Sequence, residues 1–331
     1  MIGTANGRRI GITGLGVHVP ERVYTNKDLE QYVDTSDEWI LERTGIRERR
    51  FAEKEEALTD IAAPAVLAAL ADAGVEASSI DLIVVATVTP DMMFPTSSAL
   101  LADSLGMPDA AAYDLLAGCT GFMYALAQAY GMVSSGLSKR ALVVGGDVLS
   151  KILDWTDRST LVLFGDGAGA VVVEPVERGG FLGFELGADG GGGDNLWLPG
   201  SGSRHFEDAD KLVKMNGREV FKFATRVMVS SAEKVLDECD LTVGDIDVYV
   251  PHQANRRIID HAAKKLGIPE EKVVVNVDRY GNTSSGSIPL ALADAAADGR
   301  LREGELVLMT GMGAGLTWGS ALIEWTQGGA R

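Results

Sequence analysis

Apolar residues recur at helical spacing over 61–71 and again over 220–236, and each stretch leads into a short, continuously apolar run, 80–85 and 246–250. The first pattern predicts helices that bury one face. The second predicts strands covered on both sides, as in a sheet with helices on each face. The order then repeats. A helix ending at Leu105-Gly106-Met107-Pro108 has a counterpart ending at Leu266-Gly267-Ile268-Pro269. Gly118-Cys119-Thr120 matches Gly281-Asn282-Thr283, each opening a helix that closes on a glycine, Gly136 or Gly299. Strands over 141–145 and 305–309 follow, and each copy ends in a glycine loop and a last strand. Matching positions lie about 160 to 166 residues apart, which identifies two copies of one α/β unit. The copies are expected at 1–178 and 179–331, built on mainly parallel sheets covered by helices.

Three glycine loops invite a nucleotide-binding reading and fail its test. Gly11-Ile12-Thr13-Gly14-Leu15-Gly16 runs into His18-Val19-Pro20, while Gly165-Asp166-Gly167-Ala168-Gly169 and Gly311-Met312-Gly313-Ala314-Gly315 run into strands. A dinucleotide fingerprint has to open a helix whose N-terminus holds the phosphates. These glycines are therefore read as places where backbones turn tightly or approach closely.

At 331 residues the chain is long enough for two cores. A net charge of −17 argues against a nucleic-acid binder. Two cysteines, Cys119 and Cys239, cannot build a disulfide framework, and they and the histidines His18, His205, His252 and His261 lack zinc-ligand spacing, so no metal is expected. Residues 1–9 lack the apolar core of a secretory leader, and no uncharged apolar run reaches the ~18 residues of a membrane span, which predicts a cytoplasmic protein.

Cys119 is the first candidate for chemistry. It sits at a predicted helix start, where unpaired N–H groups and the helix dipole favour thiolate, the nucleophilic form. Asn282 occupies the equivalent helix start in the second copy, so a twofold packing of the copies brings the two tips together at an interface, a common place for ligand sites. His252 follows the strand over 248–250, at the carboxyl end where α/β enzymes keep catalytic groups. Taken singly, Cys119 reads as a small buried hydrophobe and His252 as a half-buried histidine. Together, Cys, His and Asn form a nucleophile–base–orienter combination, whereas Cys239 is read as structural.

With those residues in place, the chain resembles the β-ketoacyl-[acyl-carrier-protein] synthase III family over nearly its whole length. The resemblance rests on Ser36-Asp37-Glu38-Trp39-Ile40 with Arg43-Thr44-Gly45-Ile46-Arg47, on Cys119-Thr120-Gly121-Phe122, and on Phe164-Gly165-Asp166-Gly167-Ala168-Gly169-Ala170. It rests equally on Pro251-His252-Gln253-Ala254-Asn255, Tyr280-Gly281-Asn282-Thr283-Ser284 and Thr317-Trp318-Gly319-Ser320-Ala321-Leu322. It implies a thiolase-like α/β fold with two pseudo-twofold-related, mixed and largely parallel sheets in αβαβα layers, assembled as a homodimer.

The resemblance also implies a reaction, the initiation of type II fatty-acid synthesis. An acyl group passes from coenzyme A to Cys119; malonyl-acyl carrier protein then loses carbon dioxide and condenses with the acyl-cysteine. His252 and Asn282 are the implied donors to the developing enolate, and the backbone N–H groups of Cys119 and Ala314 the candidate oxyanion hole. Trp39 and Arg158 are implied to sandwich the adenine of coenzyme A, with Arg43 near the phosphates and Asn255 on the pantetheine arm. Carrier docking falls to Arg257, with Arg256 and Lys264 on the same helix beside an apolar stripe of Ile258, Ile259, Ala262, Ala263 and Leu266. Phe122, Met312 and Leu316 are the implied acyl-pocket residues, together with Phe94, which in similar dimers reaches into the partner's pocket. Met312 and Leu316 replace residues that are often aromatic in relatives, which opens the pocket to primers other than acetyl, branched or longer, and leaves the primer's identity undecided. Coenzyme A enters as substrate, and no cofactor is implied. Segment 187–211 is expected to be a long loop near the pocket or dimer edge.

Elongating relatives carry a second histidine where this chain has Asn282, so the initiating branch is favoured. A priming ketosynthase or acyltransferase of polyketide metabolism shares the same three residues and stays open as the alternative. A degradative thiolase fits less well, because that branch uses a second cysteine and Cys239 lies on no equivalent element. A silent acyl-binding scaffold is disfavoured by the intact Cys, His and Asn.

Overall fold

The structure, a computed structural model, describes residues 8–205 and 210–326. Residues 1–7 of the stretch read as lacking a leader, and 206–209 of the expected loop, lie outside the described residues.

One sheet runs in the order Arg9–His18, Gly167–Val176, Ala141–Asp147, Leu82–Ala86, Ala111–Leu115. The other runs Gly180–Ala188, Thr317–Glu324, Leu306–Gly313, Val248–Pro251. Place by place the order is the same, and a parallel bridge from Tyr249 to Val273 stands where the first sheet has its fifth strand. The duplication seen in the apolar pattern is thus a duplication of topology. Within it, antiparallel pairing is commoner than the strand composition suggested. The Leu82–Ala86 strand pairs in parallel with both of its neighbours, and Val248–Pro251 pairs in parallel with Leu306–Gly313. The remaining pairings in both sheets are antiparallel. Continuous apolar strands report burial on both faces, not strand direction.

That burial comes from five layers. Along Leu82–Ala86 every residue is buried, with Leu82, Val84 and Ala86 facing one cluster and Ile83 and Val85 another. The first cluster is central. It holds helix Gly121–Ser135 and helix Ser287–Ala297 between the two sheets. Outside the first sheet lie helices Leu58–Ala73 and Ser97–Leu105; outside the second lie Gly217–Glu238 and Arg256–Leu266. The predicted helices over 61–71 and 220–236 are the cores of two of these. Phe122, fully buried on a central helix, belongs to this core, where truncating a phenylalanine costs about 3–5 kcal/mol. No described helix is long and apolar enough to cross a membrane.

Candidate active site

The layering sets the nucleophile's position. Gly118–Thr120 forms a 3-10 turn at the mouth of helix Gly121–Ser135, in the central layer. The turn is pressed against the strand end at 313–314: a Cβ on Gly313 would lie 2.5 Å from the Cys119 nitrogen. The third glycine loop is therefore a close approach, as expected. Thr317 Oγ1 donates within reach of the Ala117 carbonyl (3.0 Å) and the Ala314 carbonyl (2.9 Å), and Thr120 Oγ1 bonds it at 2.7 Å. The backbone N–H groups of Cys119 and Ala314 both favour the ionised sulfur, each pulling the thiol's pKa down.

The expected low thiol pKa is not found. Burial pushes the Cys119 thiol up to about 11, against the Ser284 hydroxyl and the two N–H donors that pull it down. Cys119 is only 7% exposed, so the cost of desolvating a thiolate outweighs its place at a helix start. The resting nucleophile is a thiol.

His252 follows strand Val248–Pro251 and is completely buried. Its Nδ1 lies 2.5 Å from Ser287 Oγ, which also accepts the Gln253 N–H at 3.5 Å. In the tautomer where the Ser287 hydroxyl donates to Nδ1, the neutral ring carries its own proton on Nε2. Nε2 is buried without a hydrogen-bond partner, and His252 lines the larger of the two cavities at Cys119. Burial also drops the ring's pKa to about 4, so it is neutral near neutral pH. Asn282 is fixed by backbone bonds to Leu163 and Gly165, and the Ser284 N–H donates to its Oδ1 at 2.9 Å. The second glycine loop has its reason here: a Cβ on Gly165 would come within 2.2 Å of the Tyr280 carbonyl oxygen.

Two cavities meet at Cys119. The larger, about 640 Å³, is lined by Cys119, His252, Asn282 and Met312 at its inner part and by Trp39, Arg43, Arg158, Asn255 and Arg257 elsewhere. The other, about 410 Å³, is walled by Val88, Leu149, Ile152, Leu153, Leu198 and Val213. The sequence-predicted Cys, His and Asn are thus brought to one space, and a second, apolar chamber is also lined by Cys119.

The coenzyme A candidates also gather on the larger cavity. The guanidinium of Arg158 sits 4.7 Å from the Trp39 ring centre and that of Arg43 sits 5.0 Å from it. Arg158 rests directly on the indole, so a base entering between them has to displace it. Asn255 caps helix Arg256–Leu266 through the Arg257 N–H and donates to the Arg43 carbonyl, which engages both ends of its amide. The docking candidates divide. Arg257 lies over Phe221 at the cavity, beside Arg218 and Lys222, which sequence reading had not singled out. Arg256 is paired with Asp260 and Glu270, and together with Lys264 lines a separate groove.

The acyl-pocket expectations need correction. Phe122 is core, in the layer between the sheets. Leu316 is buried in the cluster beside helix Gly217–Glu238 and lines neither cavity, while Met312 lines the chamber of His252 and Asn282. Phe94 is 84% exposed and lines neither cavity of its own chain; its expected place is the partner's pocket. The apolar cavity is walled instead by several segments, including Leu196, Trp197, Leu198 and Gly202 of the expected loop, and Leu196 borders both cavities. The apolar run Leu196-Trp197-Leu198 inside a glycine-rich stretch was the available signal. Cys239 is buried in the outer core of the second sheet, as a structural residue would be.

Comparison with known proteins gives a consistent result. The family described as 3-Oxoacyl-[acyl-carrier-protein (ACP)] synthase III matches residues 113–190, and its C-terminal counterpart matches 236–325. The curated β-ketoacyl-[acyl-carrier-protein] synthase III of Desulfitobacterium hafniense is 52% identical, over 97% of this chain and 99% of that relative. The solved structure of the Thermus thermophilus β-ketoacyl-[acyl-carrier-protein] synthase III is 52% identical with a TM-score of 0.92, covering 97% of this chain and 100% of that one. The priming β-ketosynthase from the R1128 polyketide biosynthetic pathway superposes with a TM-score of 0.91 at 40% identity, covering 96% of this chain and 97% of that one.

Proposed function

This chain belongs to the 3-oxoacyl-[acyl-carrier-protein] synthase III family of condensing acyltransferases, and we infer that it joins an acyl-coenzyme A primer to malonyl-acyl carrier protein through Cys119. The observation that carries this reading is the position of the sulfur, between an apolar chamber and a chamber holding two hydrogen-bond donors.

In the first half-reaction the Cys119 sulfur attacks the primer thioester, the coenzyme A carbon–sulfur bond breaks, and the thiol proton ends on coenzyme A. The tetrahedral oxygen is held by the N–H groups of Cys119 and Ala314. In the second, malonyl thioester loses carbon dioxide, and the electron pair left behind forms an enolate. His252 Nε2–H and Asn282 Nδ2 donate to its oxygen, both as neutral groups. The enolate carbon attacks the acyl-cysteine carbonyl and releases the Cys119 sulfur as a thiolate, which takes up a proton from water to restore the thiol, giving 3-oxoacyl-carrier protein. Coenzyme A is a substrate here, stacked at Trp39 and Arg158, and no resident cofactor takes part.

The primer is proposed to be larger than acetyl. A cavity of ~150 Å³ holds a benzene ring. The 410 Å³ apolar chamber leaves room for a branched or longer tail even with one aromatic ring inserted at its mouth. A cytoplasmic homodimer completes the reading. Ala111–Leu115 is an edge strand, Ser97 and Ser98 N–H groups tie the preceding segment to Asp114, and Met93, Phe94 and Leu116 on this edge are all largely exposed. A polyketide-priming role is the second reading, favoured by the likeness to the R1128 enzyme, and would differ in the carrier accepted.

The half-reactions provide the test. Cys119→Ala should abolish acyl transfer and keep malonyl decarboxylation, whereas His252→Ala should impair decarboxylation by ~100-fold or more. Normal decarboxylation with lost acyl transfer in His252→Ala would overturn this division.

A further inference from the structure

Asp147, the last residue of strand Ala141–Asp147, is completely buried and takes no step in the chemistry above. Its Oδ1 accepts the Thr87 hydroxyl at 2.9 Å, the Val88 N–H at 2.7 Å and the Thr89 hydroxyl at 3.0 Å. Its Oδ2 accepts the Ser285 N–H at 3.3 Å and lies 2.9 Å from the Ser285 hydroxyl, which shares its one proton between this oxygen and the Ala86 carbonyl at 2.8 Å. All five are neutral donors. The threonine oxygens are themselves loaded, Thr87 by the Thr89 N–H at 3.0 Å and Thr89 by the Val148 N–H at 2.8 Å, which turns both hydroxyl protons toward the carboxylate.

These contacts join three parts of the site. Val88 lines the apolar chamber. Ser285 follows Ser284, whose N–H fixes Asn282. Gly121, where the nucleophile's helix begins, packs so closely that a Cβ there would lie 3.0 Å from Ala86 Cβ and 3.7 Å from Ser285 Cβ. Ser285 is thus the place where the second copy touches both Asp147 and the base of the Cys119 helix.

We propose that Asp147 is a positioning residue for condensation, holding the 282–287 turn in register with Cys119 and with the chamber wall. This rests on the function inferred above. The carboxylate also places negative charge near the sulfur, which adds to burial in pushing the thiol up. Removing that charge therefore has two separable effects: the thiol ionises more readily, and the turn carrying Asn282 loosens.

Wild type, Asp147→Asn and Ser285→Ala are compared by three measurements: the pH dependence of Cys119 alkylation with iodoacetamide, Cys119 acylation by acyl-coenzyme A, and carbon dioxide release from malonyl-carrier protein. Asp147→Asn should move the alkylation profile to lower pH and slow decarboxylation about tenfold or more, the scale of a lost hydrogen bond to a buried charged group. Ser285→Ala keeps the charge, so decarboxylation should slow with no downward shift of the profile. An unmoved profile in Asp147→Asn, or decarboxylation at the wild-type rate in it, overturns the proposal. If Asp147→Asn does not fold, Ser285→Ala decides, and wild-type decarboxylation there overturns it. A wild type that neither acylates Cys119 nor decarboxylates would instead overturn the functional reading.

Discussion

The Ser284 N–H donates to Asn282 Oδ1 at 2.9 Å, and this bond decides which way the Asn282 amide faces. With the oxygen held, Nδ2 is the end available to substrate. Asn282→Asp keeps an acceptor for Ser284 but places an oxygen where the donor was. Carbon dioxide release from malonyl-carrier protein should fall ~100-fold or more, while Cys119 is still acylated. Equal loss of both half-reactions would remove Asn282 from the enolate pair.

His252 gives the pH dependence. Its ring, held near a pKa of about 4 by burial, is a neutral donor above that value and gains charge only as pH falls through it. Decarboxylation by Cys119→Ala protein should therefore be flat between about pH 5 and 8. A decline centred near the ordinary histidine value of about 6.5 would contradict the burial argument.

Arg257 and Lys264 lie on the same helix but line different depressions, and docking should separate them. Arg257→Glu is expected to raise the KM for malonyl-carrier protein roughly tenfold and to leave that for acyl-coenzyme A nearly unchanged, as for reversal of one complementary charge at a docking interface. Lys264→Glu should have a smaller effect. Steady-state kinetics with each substrate varied decides the matter, and equal damage to both substrates by Arg257→Glu would count against docking.

The reach of sequence reading followed the physics of each feature. The duplication was legible because each buried strand leaves a continuous apolar run, so 80–85 and 246–250 announced equivalent positions. Cys119, His252 and Asn282 were legible because each stands at the end of such an element. Strand direction was not legible, since burial on both faces looks alike in parallel and antiparallel strands. The state of the thiol was not legible either, because a helix start and complete burial act oppositely and only the packing of Gly313 onto Cys119 decides between them. The apolar chamber escaped because Val88, Ile152, Leu198 and Val213 come from segments with no common period. Phe122 shows the converse error: it adjoins the nucleophile in sequence, yet its side chain points into the central layer.

The central claim is that Cys119 carries the primer, and intact mass measures it directly. The protein is incubated with acetyl-, isobutyryl- and octanoyl-coenzyme A in competition, and malonyl-carrier protein is then added. One acyl group per chain is expected on Cys119, drawn preferentially from the larger primers, absent in Cys119→Ala, and discharged when malonyl-carrier protein is added. An adduct that persists in Cys119→Ala, or no adduct on the wild type with any primer, would contradict it.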